Sequence, residues 1–353
     1  MKYRLVKARP LRLLVAAGVV SGLALTACGG GDSTNGVRAE VPDDWDAVVE
    51  AAKEEGTVQL YFSIGQDVID NLSEGFKSKY PEIDVEVYRS TGGSATLIER
   101  MENDMAAESW VADVVDLAAP LWLEDALDRG IVATDVDVPH AEGWDPEYWK
   151  DGTMVLMPTV LCVAYNTDLV DPDEVPTSWE EMADSRWADR MAIFEPRPDT
   201  DSHTNLYQLY LEEFGEDFIT DITELDPRVW DNANSLAESV AAGESAIGPA
   251  FTHKAEDLKK NGAPLDYVIL EPAPTFMNTT FVASDAPHPN AARVFLDYAL
   301  SEDGQRAIAG EGRGNSLLDI PDAIENPEEM YLPDIHETAE NYDLIMDLLG
   351  RSG

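Results

Sequence analysis

The stretch TVQLYFSIGQDVIDNLSEGFKSKYPEIDVEVYRSTGGSATLIERM, residues 57–101, restricts the fold more than any other part of the chain. It opens with Val58, Leu60 and Phe62 alternating with Gln59 and Tyr61, the period of a strand. Val68, Ile69, Leu72, Phe76 and Tyr80 then recur at helical spacing, with Asp67 as the expected N-cap and Pro81 barring continuation past Tyr80. Ile83, Val85 and Val87 alternate with Asp84 and Glu86 in a second strand, which runs into Ser90-Thr91-Gly92-Gly93-Ser94; another helix is expected from about Ala95. This is a β-α-β unit. Its two loops, after Phe62 and after Tyr88, lie at the carboxyl ends of strands, where open α/β sheets bind ligands. The glycines let backbone come close to a ligand, and hydroxyls and free N–H groups at a helix start favour an anionic or carbonyl oxygen. A turn with an N-cap and no ligand accounts for the same residues equally well.

Residues 1–27 read as a targeting segment. Lys2, Arg4, Lys7, Arg9 and Arg12 form a basic region, residues 13–25 an apolar one too short to span a membrane comfortably, and Leu25-Thr26-Ala27-Cys28 a lipobox-like end. Cys28 is the expected lipid-attachment residue, followed by a flexible tether over 28–39. Cys162 is then the only other cysteine, so no disulfide is expected; it sits in the apolar run 160–164 as a small buried hydrophobe. The formal charge is −45, and loss of the five basic residues of 1–27 takes it to −50 (−45 − 5). The acids are spread along the chain, which indicates a solvated acidic surface rather than a disordered tail. A salt-rich habitat explains such a surface by screening its self-repulsion, and a calcium-loaded surface is the alternative. Nucleic acid and anionic membrane surfaces are disfavoured as partners.

Beyond the first unit, 111–117 read as a strand and 121–129 as a helix ended by Gly130. Trp144, Tyr148 and Trp149 stand in an irregular stretch, suited to packing or to a cleft mouth. Residues 161–166 and 191–194 read as strands. Helices with capping boxes are expected after Ser178 (to Glu181) and Ser235 (to Glu238). Strands at 246–248, 265–270 and 280–283, and helices at 290–300 and 334–349, complete the pattern. No catalytic constellation stands out: Gly243-Glu-Ser245-Ala-Ile-Gly248 has the wrong spacing for a nucleophile elbow, and the five histidines lack zinc spacing. An anchored extracytoplasmic hydrolase, the competing class, is therefore disfavoured, and no enzyme is expected.

The order of the segments LYFSIGQDVIDNLSEGFKSKYPEIDVEVYRSTGGSATLIERM, VADVVDLAAPLWLEDALDRGIV, VAYNTDLVDPDEVPTSWEEMADSRWADRMAIFEP, SLAESVAAGESAIG and HPNAARVFLDYALSEDGQRAIA resembles the periplasmic or lipid-anchored solute-binding proteins of bacterial ABC importers. The branch is the one that includes ferric-ion binding proteins. The resemblance implies an α/β, two-lobe fold of the type II periplasmic-binding-protein kind, with the ligand closed between lobes joined by crossing strands. Lobe one is placed at 40–160 plus 277–320, lobe two at 161–276, and a tail helix within 321–353. It further implies a monomer that carries a small solute to permease subunits, touches the membrane only through its lipid anchor and has no cofactor. A binding protein that serves a sensor is the alternative role.

Carried over by position, the family's ligand contacts fall at 63–66 and 91–94 in lobe one and at 199–203, 232–234 and 251–253 in lobe two. The candidates are Ser63, Gln66, Thr91, Gly92, Gly93, Ser94, Thr200, Ser202, His203, Asn234, Phe251 and Thr252. Ferric binders of this branch bring adjacent tyrosines after the strand that here ends near Gly248, where this chain reads Pro249-Ala-Phe251-Thr252-His253, and often a histidine where it reads Gly65-Gln66-Asp67. Phenolate is a hard, charged donor suited to Fe³⁺, and neither Phe nor Thr replaces it, so no metal ligands are assigned. The hydroxyl- and glycine-rich set that remains suits a small oxyanion, such as a phosphorylated or carboxylated metabolite, with Arg89, Arg197 and His203 able to add charge. Ferric iron or its anion complex comes next, and a polyamine stays open because relatives bind polyamines through acids and aromatics.

Overall fold

The computed structural model describes residues 41–351 apart from 43, 92, 146–147 and 199–201. The expected signal segment, Cys28 and the tether through 39 lie outside the described residues. Helix α1 (Trp45–Glu55) leads into β1 (Thr57–Phe62), α2 (Gln66–Lys79), β2 (Asp84–Arg89), α3 (Gly93–Ala106), β3 (Val114–Leu117) and α4 (Pro120–Asp128). β1 pairs in parallel with β2 on one side and β3 on the other. Because β1 is central, both its faces are covered. Val58, Leu60 and Phe62 pack towards Ile69, Leu72 and Phe76 of α2, while Tyr61 faces Leu97 and Met101 of α3. The Tyr61 hydroxyl donates to the Asp104 carboxylate at 2.9 Å, so the one polar end inside that layer is satisfied. Phe76 sits among Phe295, Tyr298 and Tyr80, with ring centroids 5.2–5.7 Å apart.

The chain continues through β4 (Trp149–Lys150), β5 (Thr153–Asn166), β6 (Ala192–Phe194), α5 (Ser202–Phe214), α6 (Glu216–Glu224), β7 (Arg228–Trp230), α7 (Ala233–Ala241), β8 (Ile247–Phe251), α8 (Thr252–Lys260), β9 (Leu265–Val268) and β10 (Ala273–Val282). It closes with α9 (Pro289–Leu300), α10 (Glu302–Ala309), β11 (Met330–Tyr331) and α11 (Ile335–Leu348). The sheet order is β2-β1-β3-β10-β5-β4, with β8 and β9 joined to β5 and β11 to β10. β10 runs antiparallel to both β3 and β5. The first half of β5 pairs with β10, and its second half, Leu161–Asn166 in part, pairs with β8 and β9. These two long strands thus carry the sheet from a core around Phe62, Phe76 and Phe295 to a second core around Trp179, Trp187, Phe194, Tyr207 and Ile247. Cys162 lies inside the second core, its thiol directed at the Ala250 carbonyl at 3.3 Å. α11 packs over the second core through Ile345 and Leu349.

Local details depart from the sequence reading. The N-cap of α2 is Gly65, two residues ahead of Asp67, which becomes the acidic residue of the first turn. The helix expected after Ser178 is two 3-10 turns, Glu180–Ala183 and Ser185–Trp187, because Trp179 and Trp187 both turn inward, their indole N–H groups donating to the carbonyls of Pro272 and Glu181. The cap of α7 is Asn232, whose Oδ1 accepts from the Ser235 N–H at 3.0 Å, and Glu238 instead pairs with Lys254. Trp144 and Tyr148 are buried in the first core, Trp144 donating to the Leu300 carbonyl, so they pack rather than line a cleft. Among the described residues no helix is long and apolar enough to cross a membrane.

Candidate functional site

The order β2-β1-β3 places a topological switch point between β1 and β3, and the loops leaving the carboxyl ends of β1, β2 and β3 converge there. They border a cavity of about 410 Å³ through Ser63, Ile64, Gly65, Arg89, Gly93, Ser94, Ala118 and Pro120. The opposite wall comes from the second core's elements: Arg197, Asn205 of α5, Asn234 of α7, Phe251 and His253. The floor is the pair of long strands, with Met157 and Thr159 from β5 and Thr275, Phe276, Met277 and Asn278 from β10. Leu332, Pro333 and Ile335, from the segment entering α11, close one side. A more open hollow of about 560 Å³ lies on the flank of α8, where Glu256, Lys260, Glu311 and Asp322 meet. It lacks the convergence of strand ends from two cores, so the cleft is the candidate site.

Helix starts surround the cleft. α2, α4 and α8 begin there with no side-chain cap on their first N–H groups, which leaves those donors and the positive ends of the helices to a ligand. Gly93 opens α3 with φ +74°, a left-handed geometry open to glycine without strain. Ser94 Oγ accepts from the Ala118 N–H at 2.9 Å and stands 3.5 Å from Ser63 Oγ, tying three loops together. Arg89 Nε donates to the Ile64 carbonyl at 2.9 Å, which anchors that guanidinium at the wall. The Arg197 guanidinium donates to the Asp231 carbonyl, and its backbone N–H to Thr204 Oγ1. Phe251 packs edge-on against Phe276 and parallel to His253, whose imidazole is driven towards its neutral form by burial.

Beneath the floor lies a buried carboxylate. Asp116 accepts from Asn278 Nδ2 at 2.7 Å and from Thr280 Oγ1 at 2.6 Å, while its backbone carbonyl receives the Ser63 N–H at 3.0 Å. Burial pushes its carboxyl up to about 6, against the lowering effect of the two donors. Nearby, Asp113 accepts from the N–H groups of Gln59 and His288 and from the His288 ring, and burial raises its carboxyl as well.

Of the sequence candidates, Ser63, Gly93, Ser94, Asn234 and Phe251 border the cavity. Four do not. Gln66 is exposed on α2 and bonded to Asp70; Thr91 is exposed. His203 is 2% exposed, stacked on Phe194 at 4.2 Å with Nδ1 donating to the Glu195 carbonyl, because α5 starts at Ser202 and turns the next residue inward. Thr252 is buried and donates to Asn315 Oδ1 at 2.8 Å, clipping α8 to the chain beyond α10. Gly92, Thr200 and the Ser202 side chain lie outside the described residues. The sequence reading missed Asn205, Asn278, Met157, Thr159 and the 332–335 segment. The polar groups that border the cavity are two guanidiniums, hydroxyls, amides and an imidazole; no tyrosine or carboxylate joins them among the described residues.

A family model of bacterial extracellular solute-binding proteins matches residues 71–330. The chain belongs to this family. Solved structures agree with the fold of this solute-binding protein. Iron-bound HitA from Pseudomonas aeruginosa superposes with a TM-score of 0.68 at 19% identity, covering 83% of this chain and 99% of that one. The substrate-binding protein of an ABC transporter from Agrobacterium tumefaciens gives 0.69 at 15% identity, covering 85% and 97%. AfuA from Actinobacillus pleuropneumoniae, with exogenous fructose-6-phosphate bound, gives 0.58 at 20% identity, covering 71% and 82%. These are two-lobe periplasmic binding proteins, the architecture that the sequence implies.

Proposed function

We propose that this solute-binding protein captures a small oxyanion, a phosphorylated or carboxylated metabolite, and hands it to the permease of an ABC importer. The observation that carries this reading is the lining itself: Arg89 and Arg197 face one cleft from opposite walls, amid uncapped helix starts. Guanidiniums and helix N-termini both stabilise negative charge, and closure of the cleft over a ligand would strengthen each. Neighbours of the same fold hold a sugar phosphate in one case and iron in another, and the lining favours the former. A ferric site would require hard anionic oxygens, which the described lining does not offer. We further place the lobe boundaries inside β5 and β10, with 40–160 plus 277–320 as one lobe and 161–276 as the other. Ligand would bind the open form and favour closure through contacts made only when both walls meet it. Cys28 would hold the protein to the outer face of the membrane by its lipid, with 28–39 as leash.

The test is thermal unfolding of the purified full-length chain in mild detergent and high salt. The panel holds phosphate, sugar phosphates, phosphonates, dicarboxylates, ferric citrate and polyamines. A ligand at 100 times its Kd adds about 2.7 kcal/mol. Protection by anions that falls at least tenfold in affinity in Arg197→Gln supports the reading. Protection by ferric iron or a polyamine alone overturns it.

A further inference from the structure

We infer that the cleft selects oxyanions that carry a hydrogen-bond donor beside the anionic group, a hydroxyl or an amide N–H, because Asn278 presents its amide oxygen to the ligand. The inference rests on the oxyanion reading and narrows it. Asn278 lies where the pairing of β10 with β5 changes register, between Met277 opposite Pro158 and Thr279 opposite Val155. There Leu156 and Met157 of β5 stand opposite the single residue Asn278, so the extra residue is on β5 and Asn278 meets the cleft floor across from it. Its amide cannot turn freely. Asp116, 1% exposed, offers only acceptors when ionised, so both side chains that meet it must donate. A flipped Asn278 would set oxygen against carboxylate oxygen at 2.7 Å. The nitrogen is therefore committed inward and the oxygen faces the cavity.

A second observation points the same way. Asn205 borders the cavity from the opposite wall, is 7% exposed, and its Oδ1 has no hydrogen-bond partner. A buried acceptor left unpaired costs free energy, which a ligand donor recovers once the side chain turns into the cavity. The cleft thus combines guanidiniums for charge with acceptors for a neighbouring donor. A site built to bond a hydroxyl discriminates strongly against the analogue that lacks one, since its own polar group is then left unpaired.

Matched ligands test this by calorimetry on the full chain in detergent at pH 8: methyl phosphate against glycerol 3-phosphate and fructose 6-phosphate, and succinate against malate. In the native protein the hydroxylated member of at least one pair is expected to bind at least tenfold tighter. Asn278→Ala should shrink that gap below threefold, whatever it does to the affinity of the plain member. Asp116→Asn, which lets the Asn278 amide turn either way, should narrow the gap as well and serves if the alanine variant does not fold. Equal binding of plain and hydroxylated members, or a gap that survives in both variants, overturns the inference and leaves the oxyanion reading standing. Failure of every anion to bind the native protein removes the oxyanion reading, and this inference with it.

Discussion

Replacing Asp116 by Asn takes a charge out of the cleft floor with almost no change of shape. The carboxyl is 1% exposed, and burial moves it from 3.8 up to about 6. Because the value is raised on folding, the native protein holds a proton between those two values that the unfolded chain has released. The stability that this proton confers is complete below 3.8 and is lost as pH rises through about 6. The gap between 3.8 and about 6, at 1.36 kcal/mol for each pH unit, amounts to about 3 kcal/mol carried as a penalty at neutral pH. An asparagine there still pairs with both neighbours in either orientation, since the Asn278 amide can turn to offer nitrogen or oxygen and the Thr280 hydroxyl can donate or accept. Urea unfolding at pH 7.5 should find Asp116→Asn more stable by about 2–3 kcal/mol, with the difference gone near pH 4. A difference of the same size at both pH values, or a less stable variant at pH 7.5, would refute the argument. The expected gain would mark the native charge as a cost tolerated because it orients Asn278.

Other outcomes follow from the contacts described above. Ser94→Ala leaves the Ala118 N–H without its acceptor and should cost about 1–2 kcal/mol together with a loss of ligand affinity, whereas Thr91→Ala, on an exposed side chain, should change neither; equal effects in a thermal shift assay would show the loop to be wrongly placed. Phe76→Ala empties the middle of a four-ring cluster and should destabilise by about 3–5 kcal/mol in urea, without moving ligand affinity once the protein is folded. Cys28→Ser should release the protein from membranes into the soluble fraction; persistent sedimentation with membranes would refute lipid anchoring.

The β-α-β unit was legible because a period of two followed by one of 3.6 leaves few other folds, and Gly93 and Ser94 after Tyr88 do lie at the cleft. The capping residues were less so, since a Ser three places from a Glu reads as a box until Asn232 is seen to reach Ser235 first. α8 escaped notice because only Thr252 and Ala255 of its nine residues are buried, which leaves almost no apolar stripe. His203 was misplaced by one residue's worth of helix start. The floor of the cleft could not be read at all. Met157 and Thr159 stand in an apolar run without local signal, and the orientation of Asn278 depends on a carboxylate 162 residues away in sequence and on a break in register between two strands.

The two long strands beneath the cleft also divide the labour of recognition in time. A ribbon of two antiparallel strands flexes across its flat side far more readily than its hydrogen bonds allow it to slide, so β5 and β10 act as an axle between two jaws. On the proposed closure, Thr159, Met277 and Asn278 would ride on the axle and keep their mutual positions, while Arg89 and Arg197 would ride on opposite jaws and come together only when these shut. A visitor would therefore be inspected for its hydroxyl on arrival and gripped by its charge afterwards. An anion of the wrong shape can leave before the jaws ever close on it.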